Sequence, residues 1–170
     1  KAIILENEGK NTAPAIALGS VKALEEEEDP LLLILSADHI IRDLNVFSKV
    51  LNYGCKSALE NNLVTFGVIP NYPETGYGYI ETKGKLSHQT LRSLPIKNFI
   101  EKPPLEKAKE YMSNDHFLWN SGIFLFKAST MINLLKKYEP ELLALCEESL
   151  SKSSKDYDFQ RIEKNSFKLC

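Results

Sequence analysis

The sequence predicts an α/β fold in which a mixed, mostly parallel sheet is flanked by helices. Short apolar runs alternate with helical patterns between residues 2 and 70, and these runs lack the polar alternation of a strand with one solvated face. Strand, helix, strand, helix and strand in that order are typical of a parallel sheet with right-handed crossovers. The 170 residues are enough for one buried core, so we expect one domain.

The second apolar run gives the clearest strand signal. Five consecutive large aliphatic residues follow Pro30, which predicts a strand over residues 31–38 that is buried on both faces; a short buried helix is the alternative. Polar residues up to about Thr90 predict an exposed hairpin or loop. The other predicted elements are strands at 2–6, 63–70, 77–81, 96–103 and 117–127 (interrupted at 120–122), helices at 12–25, 43–61 and 105–113, and a mainly helical region from about residue 129.

The stretch "ENEGKNTAPAIAL", residues 6–18, resembles either a phosphate-binding loop or a helix start. A P-loop needs a glycine five residues before its Gly-Lys pair and a Ser or Thr after the lysine, but Ile4 and Asn11 occupy these positions. A helix start explains the stretch better, with Asn11 or Thr12 as the cap and Pro14 in the first turn. A helix N-terminus can also bind an anion or a polar ligand.

Composition excludes several classes of function. The formal net charge of −2 is against a nucleic-acid surface, and no apolar run approaches the length of about 20 residues that spans a bilayer. We therefore expect neither a nucleic-acid nor a membrane partner, and the cytoplasm is the simplest compartment. The three cysteines lack metal-ligand spacing and are odd in number, so neither a disulfide framework nor a zinc site is indicated.

Polar residues follow several of the predicted strands, where open parallel sheets bind ligands. Asp38 ends the aliphatic run and could hold a hard cation such as Mg²⁺, or be a turn or cap residue. Glu101 and Lys102 would point to opposite faces of a continuing strand and could bind sugar hydroxyls and a phosphate, or form a solvated pair. Asn120 needs hydrogen-bond partners, and Gly78 allows a close backbone approach or a turn.

Five segments carry a family resemblance when taken together: "ENEGKNTAPAIAL", "LILSADH", "PETGYGYIE", "FIEKP" and "FLWNSGIFLF". In this order and spacing they resemble the bacterial mannose-1-phosphate guanylyltransferases, which are sugar nucleotidyltransferases. The resemblance covers nearly the whole chain and implies a Rossmann-like fold of the nucleotide-diphospho-sugar transferase type. The reaction it implies is attack by a phosphate oxygen of mannose 1-phosphate on the α-phosphorus of GTP, which yields GDP-mannose and pyrophosphate. Mg²⁺ is the implied cofactor.

The resemblance also implies roles for individual residues. Asn11, Thr12 and Pro14 would lie at the guanine and ribose. Asp38 would bind Mg²⁺, and Lys102 would bind the sugar phosphate, which makes these two the catalytic candidates. The implied contacts to the sugar are Tyr77, Gly78, Glu101 and Asn120.

Some family motifs are missing from the sequence. The glycine-rich phosphate loop should precede residue 2 by several dozen residues, and a second metal-binding aspartate should follow "FKLC". We therefore expect residues 1–170 to be the central part of a catalytic domain, incomplete at both ends and inactive alone. The rival hypothesis is a non-catalytic module that binds nucleotide sugars. A homo-oligomer is left open.

Overall fold

Two sheets organise the computed structural model, which describes residues 2–86 and 91–170. The chain divides into two compact units, one formed by Lys1–Leu32 and Lys127–Cys170, the other by Leu33–Phe126. In chain order the elements are β1 (Ile3–Leu5), α1 (Thr12–Glu26), β2 (Leu31–Ile34), α2 (Leu44–Leu59), β3 (Val64–Val68), β4 (Tyr79–Thr82), β5 (Ile96–Ile100), α3 (Leu105–Met112), β6 (Phe117–Lys127), α4 (Ala128–Tyr138), α5 (Pro140–Ser151), β7 (Ser154–Asp156), β8 (Phe159–Arg161) and α6 (Lys164–Lys168).

The first unit combines a small sheet with a helical layer. Its strand order is β1-β8-β7, and β1 runs parallel to β8 with Ile3 opposite Phe159. Helix α1 packs against α4 and α5, and α5 packs against α6. The core side chains are apolar and almost fully buried, and they include Ala17, Leu18, Leu143, Cys146, Leu150 and Phe167.

The second unit contains the larger sheet, in the order β2-β6-β4-β5, with β3 also paired to β6. Strand β4 is antiparallel to both β5 and β6, and β3 is antiparallel to β6. Helix α2 begins after Asp43, whose carboxylate accepts a 2.9 Å hydrogen bond from the backbone N–H of Val46 and so caps the helix. A buried cluster of Tyr79, Ala108, Phe117 and Trp119 joins α3 to the sheet.

The mixed α/β class is confirmed, but the described pairings contain less parallel sheet than expected. Only β1 with β8 is parallel among them, whereas the four other pairs with a described direction are antiparallel. The reason is that β1 lies in the other sheet and that β6 pairs with both β2 and β3. The expected neighbours in a parallel sheet are therefore separated.

Several local expectations are also corrected. Strand β2 ends at Ile34, and its residues are half-buried because it lies at the end of the described strand order. Strand β6 continues through residues 120–122, but its pairing with β3 shifts register there, between Phe124 and Asn120. The mainly helical region from residue 129 includes the β7–β8 hairpin, which forms because β8 pairs with the distant β1.

The predicted hairpin or loop before Thr90 lies partly outside the described residues, at 87–90. Within the described ranges, none of the helices combines the length and apolar character of a membrane span.

Candidate functional site

Strands β4 and β5 bring two of the predicted segments together in the second unit. Because Tyr79 pairs with Ile100 in an antiparallel ladder, the residues just before β4 lie opposite those just after β5. The backbone N–H of Lys102 donates a 3.2 Å hydrogen bond to the carbonyl of Tyr77. The Tyr77–Gly78 and Glu101–Lys102 pairs therefore form one cluster.

Gly78 allows the carboxylate of Glu101 to approach the backbone closely. A Cβ atom at position 78 would lie 2.9 Å from Oε2 of Glu101 and 3.2 Å from ring carbons of Phe99. Real Cβ atoms essentially never show contacts under 3.0 Å, so an alanine here would force a neighbour to move. The hydrogen atom of glycine leaves this space to the carboxylate.

Asn120 joins the cluster from β6. Its backbone N–H donates a 2.7 Å hydrogen bond to the carbonyl of Gly78. Its side-chain Oδ1 lies 2.9 Å from the hydroxyl of Thr65, which also lies 3.0 Å from the carbonyl of Ile123. The amide oxygen of Asn120 is thereby fixed, and its amide nitrogen is a donor that none of the described residues engages.

Glu101 and Lys102 do not lie on opposite faces of a strand, because β5 ends at Ile100. Lys102 has a φ of 43°, a left-handed conformation that is unusual for a residue other than glycine. This turn brings Nζ of Lys102 to 3.8 Å from Oε1 of Glu101, and both side chains are more than 60% exposed. A carboxylate and an ammonium group are thus presented side by side to solvent.

Two aromatic residues at the cluster, Tyr72 and Trp119, were missed from the sequence. The rings of Tyr72 and Tyr77 pack edge-on against Trp119, with centroid distances of 4.9 and 5.5 Å. A hydrogen bond with the Tyr77 side chain raises the pKa of Tyr72. The indole Nε1 of Trp119 is buried and lacks a hydrogen-bond partner among the described residues. The tyrosine-rich segment "NYPETGYGY" was the sequence signal that could have indicated this aromatic cluster.

Asp38 lies in an exposed turn after β2. The hydroxyl of Ser36 donates to Oδ1 of Asp38, and this bond, then the backbone N–H of Asp38 and the charge of His39, lower the pKa of the carboxyl. His39 approaches β6, since its Cε1 lies 3.9 Å from the position of a Cβ on Gly122. The turn therefore reaches β6 at Gly122, which lies two residues after Asn120 on the same strand.

Asp38 suits one ligand position of a magnesium ion. Its carboxylate is a hard oxygen donor that stays ionised at neutral pH, and Mg²⁺ in nucleotide sites often uses one or two carboxylates together with substrate phosphates and water. The described residues contain no group of three or more His, Cys, Asp and Glu side chains that could hold a metal without such help.

The residues expected at the nucleoside lie in the first unit, at the start of α1. Asn11 is the cap residue by position, but its side chain makes no cap hydrogen bond, so the expected side-chain cap is wrong. Its φ of 63° and ψ of −163° turn the chain into the helix in a way that L residues seldom adopt. Thr12 is exposed, whereas Pro14 is buried and its carbonyl lies 3.9 Å from the thiol of Cys146.

Comparison with curated proteins finds close relatives over nearly all of the chain. Mannose-1-phosphate guanylyltransferase 2 of Escherichia coli O157:H7 is 45% identical over 175 residues, which cover 99% of this chain and 36% of the relative. Mannose-1-phosphate guanylyltransferase of Salmonella muenchen is 44% identical over 170 residues, with coverage of 99% and 35%. The chain thus spans about a third of the length of the curated relatives it matches.

Solved structures share the fold. A crystal structure of mannose-6-phosphate isomerase from Helicobacter pylori matches 98% of this chain and 62% of its own, with a TM-score of 0.82 and 34% identity. A structure described as mannose-1-phosphate geranyltransferase from Thermus thermophilus matches 93% of this chain and 51% of its own, with a TM-score of 0.76 and 29% identity.

The family assignment follows from a match that extends almost from end to end. The family described as Nucleotidyl transferase matches residues 1–165. This match and the curated relatives confirm the resemblance drawn from the five sequence segments. The chain belongs to the nucleotidyl transferase family.

Proposed function

We propose that the protein containing this chain transfers GMP from GTP to mannose 1-phosphate, giving GDP-mannose and pyrophosphate. The observation that carries the proposal is the cluster in which Gly78, Glu101 and Lys102 meet the backbone of Asn120. It offers a carboxylate for hydroxyls beside an ammonium group for a phosphate, which is what a sugar phosphate requires. The choice of mannose and guanine rests on the names of the relatives.

The sugar phosphate would be held by complementary charges. The ammonium group of Lys102 is a compact donor suited to the phosphate, while the Glu101 carboxylate accepts hydrogen bonds from hydroxyls and repels the phosphate. The amide nitrogen of Asn120, which none of the described residues engages, supplies a further donor, and the ring of Tyr77 packs against Trp119 beside the cluster. These contacts would orient the attacking phosphate oxygen.

For this reaction the protein must align the substrates and neutralise their charge, and it needs no covalent nucleophile. A phosphate oxygen of the sugar attacks the α-phosphorus of GTP in line, and pyrophosphate leaves. Mg²⁺, when bound, neutralises phosphate charge and acts as a Lewis acid. Asp38 would supply one carboxylate to that ion, and the segment with Asn11, Thr12 and Pro14 would bind the nucleoside. We place this chemistry in the cytoplasm, where GTP and sugar phosphates are available.

The direct test is pyrophosphate release by the full gene product that contains the chain. Four nucleoside triphosphates, GTP, ATP, UTP and dTTP, are each paired with mannose 1-phosphate and glucose 1-phosphate in the presence of Mg²⁺. We expect turnover chiefly with GTP and mannose 1-phosphate. Tight binding of GDP-mannose without any release of pyrophosphate would instead identify a binding module, and a preference for another pair would refute the substrate assignment.

A further inference from the structure

The ammonium group of Lys10 forms contacts within the protein. Its Nζ donates a 2.8 Å hydrogen bond to the backbone carbonyl of Lys168 and lies 3.1 Å from Oε1 of Glu8. The side chain is only 24% exposed. Two of the three N–H donors of this ammonium group are therefore directed at protein oxygens.

The start of the same loop is tied to the same region. Strand β1 pairs with β8, and Nδ2 of Asn7 donates a 3.0 Å hydrogen bond to the carbonyl of Ile162 directly after β8. The loop between β1 and α1 is thus attached near its beginning through Asn7 and near its end through Lys10. Both acceptors are backbone carbonyls of the segment formed by residues 162–168.

The acceptor segment is itself well fixed. Glu163 caps α6 by accepting 2.8 Å hydrogen bonds from the backbone N–H groups of Asn165 and Ser166. The carbonyl of Glu163 accepts a 2.7 Å bond from the hydroxyl of Ser149 on α5, and Phe167 is fully buried. Carbonyls in the last turn of a helix lack intrahelical donors, and a lysine commonly supplies one. Lys10 fills this role for α6.

The residue that follows Lys10 needs such support. Asn11 has a φ of 63° and a ψ of −163°, and its side chain does not cap α1. A conformation of this kind persists only where surrounding contacts hold it in place. The residue directly before it, Lys10, is bonded to the carbonyl of Lys168, and this contact restrains the chain next to Asn11.

We infer that Lys10, together with Asn7, is a positioning residue that holds the loop before α1, so that Asn11, Thr12 and Pro14 present the nucleoside contacts. This inference rests on the proposed function, because it assumes that these three residues contact guanosine. In this role the lysine of the Gly-Lys pair holds the loop in place and does not bind phosphate. The two roles differ in which part of the nucleotide depends on Lys10.

The test measures binding of guanosine, GMP and GTP by the full gene product with isothermal titration. We expect Lys10→Met to weaken all three ligands by the same factor, about tenfold, as for loss of a hydrogen bond from a charged group. Lys10→Arg should restore most of the affinity. The matched control is Lys22→Met, since Lys22 lies on α1, is 22% exposed and forms an exposed ion pair with Glu25.

Each other outcome has a defined meaning. A loss that grows from guanosine to GTP would show that Lys10 contacts phosphate and would overturn the inference, as would unchanged affinity for all three ligands. If Lys10→Met does not fold, as judged by circular dichroism, Asn7→Ala tests the same tether and should also weaken the three ligands equally. A wild-type protein that binds none of them removes the proposed function and this inference with it.

Discussion

The carboxylate of Glu101 occupies space that a side chain at position 78 would need, since a Cβ on Gly78 would lie 2.9 Å from Oε2. The two residues are far apart in sequence and meet only because β4 and β5 pair with Tyr79 opposite Ile100. Gly78 thus allows the carboxylate of Glu101 to lie against the backbone at the end of the sheet.

Gly78→Ala should therefore impair use of the sugar phosphate more than it impairs folding. The added methyl group would displace the Glu101 carboxylate and press on Phe99, so kcat/KM for mannose 1-phosphate should fall while KM for GTP changes little. A double-mutant cycle with Glu101→Ala checks the coupling. If Gly78→Ala has the same effect whether or not Glu101 is present, the carboxylate is not what the glycine accommodates.

Lys102 and Glu101 should divide the substrate between them. Lys102→Ala should lower kcat/KM for mannose 1-phosphate roughly ten- to a hundred-fold, as expected when a charged hydrogen-bond partner is lost. Glu101→Ala should mainly relax discrimination among hexose 1-phosphates. Lys107→Ala is the matched control, because Lys107 lies on α3 with a similar exposure. Collapse of GTP affinity in Lys102→Ala, with mannose 1-phosphate unaffected, would place this lysine at the triphosphate.

Asp38→Asn should raise the Mg²⁺ concentration required for turnover and leave the circular dichroism spectrum unchanged. The Ser36 hydroxyl lowers the pKa of Asp38, so the carboxylate becomes protonated only at pH values below its ordinary pKa of 3.8. Any change of activity between pH 6 and pH 8 should consequently persist in the variant. Asp115→Asn provides an exposed control in the same unit. Wild-type metal dependence in Asp38→Asn would identify Asp38 as a turn residue only.

Asp29 links the chain before β2 to the start of α4, and this link should weaken in acid. Its two oxygens accept bonds of 2.9 and 2.8 Å from the N–H and the hydroxyl of Ser129, and Lys127 lies 2.9 Å away. The Ser129 backbone bond is the main cause of its lowered pKa. Because the pKa of Asp29 is lower in the folded than in the unfolded state, its ionised form stabilises the fold. This contribution is complete at pH values above the ordinary pKa of 3.8, and it is lost as the pH falls through the pKa of the folded state.

The corresponding experiment follows the urea midpoint between pH 7 and pH 2. Asp29→Asn should lower the midpoint at pH 7 and show a smaller further decrease on acidification than the wild type. Parallel curves for the two proteins below pH 4 would contradict this account of Asp29.

Two helical glycines should respond to alanine with opposite signs. A Cβ on Gly54 in α2 would lie 2.9 Å from Cζ of Phe66 and 3.2 Å from Cδ2 of Leu125, so Gly54→Ala should destabilise the fold by about 1–3 kcal/mol through overpacking. A Cβ on Gly19 in α1 would meet no atom within 4 Å, so Gly19→Ala should stabilise by about 0.5–1 kcal/mol. Equal effects in urea unfolding would show that helix propensity alone decides both.

Local chemistry explains which parts of the fold could be read from the sequence. Helix α2 was predicted almost to its observed ends because its apolar residues recur at helical spacing after Asp43, which the structure shows to be the cap. Strand β5 was predicted from its apolar residues, but it ends at Ile100 and not at Pro103, where the prediction placed its end. The β7–β8 hairpin was missed because Ser154–Asp156 is polar, and its neighbour β8 is held by β1 from the other end of the chain.

The candidate site was predictable in its residue types but not in its geometry. The types of Glu101, Lys102 and Asn120 suggested a polar ligand. Their arrangement depends on the strand register and on the φ of 43° at Lys102, neither of which a sequence window contains. The Asn11 cap was wrong for the same reason, since its side-chain contacts follow from the backbone angles that the loop imposes.

The pairing of β1 with β8 also has a consequence for synthesis on the ribosome. The unit formed by Lys1–Leu32 and Lys127–Cys170 is discontinuous, and Leu33–Phe126 emerges between its two parts. The central unit can therefore acquire its own contacts first, because the partners of β1 and α1 in residues 127–170 are translated after it. Closing so long a loop raises the entropic cost before any β1–β8 contact forms, so we expect this strand pairing to be among the late events of folding.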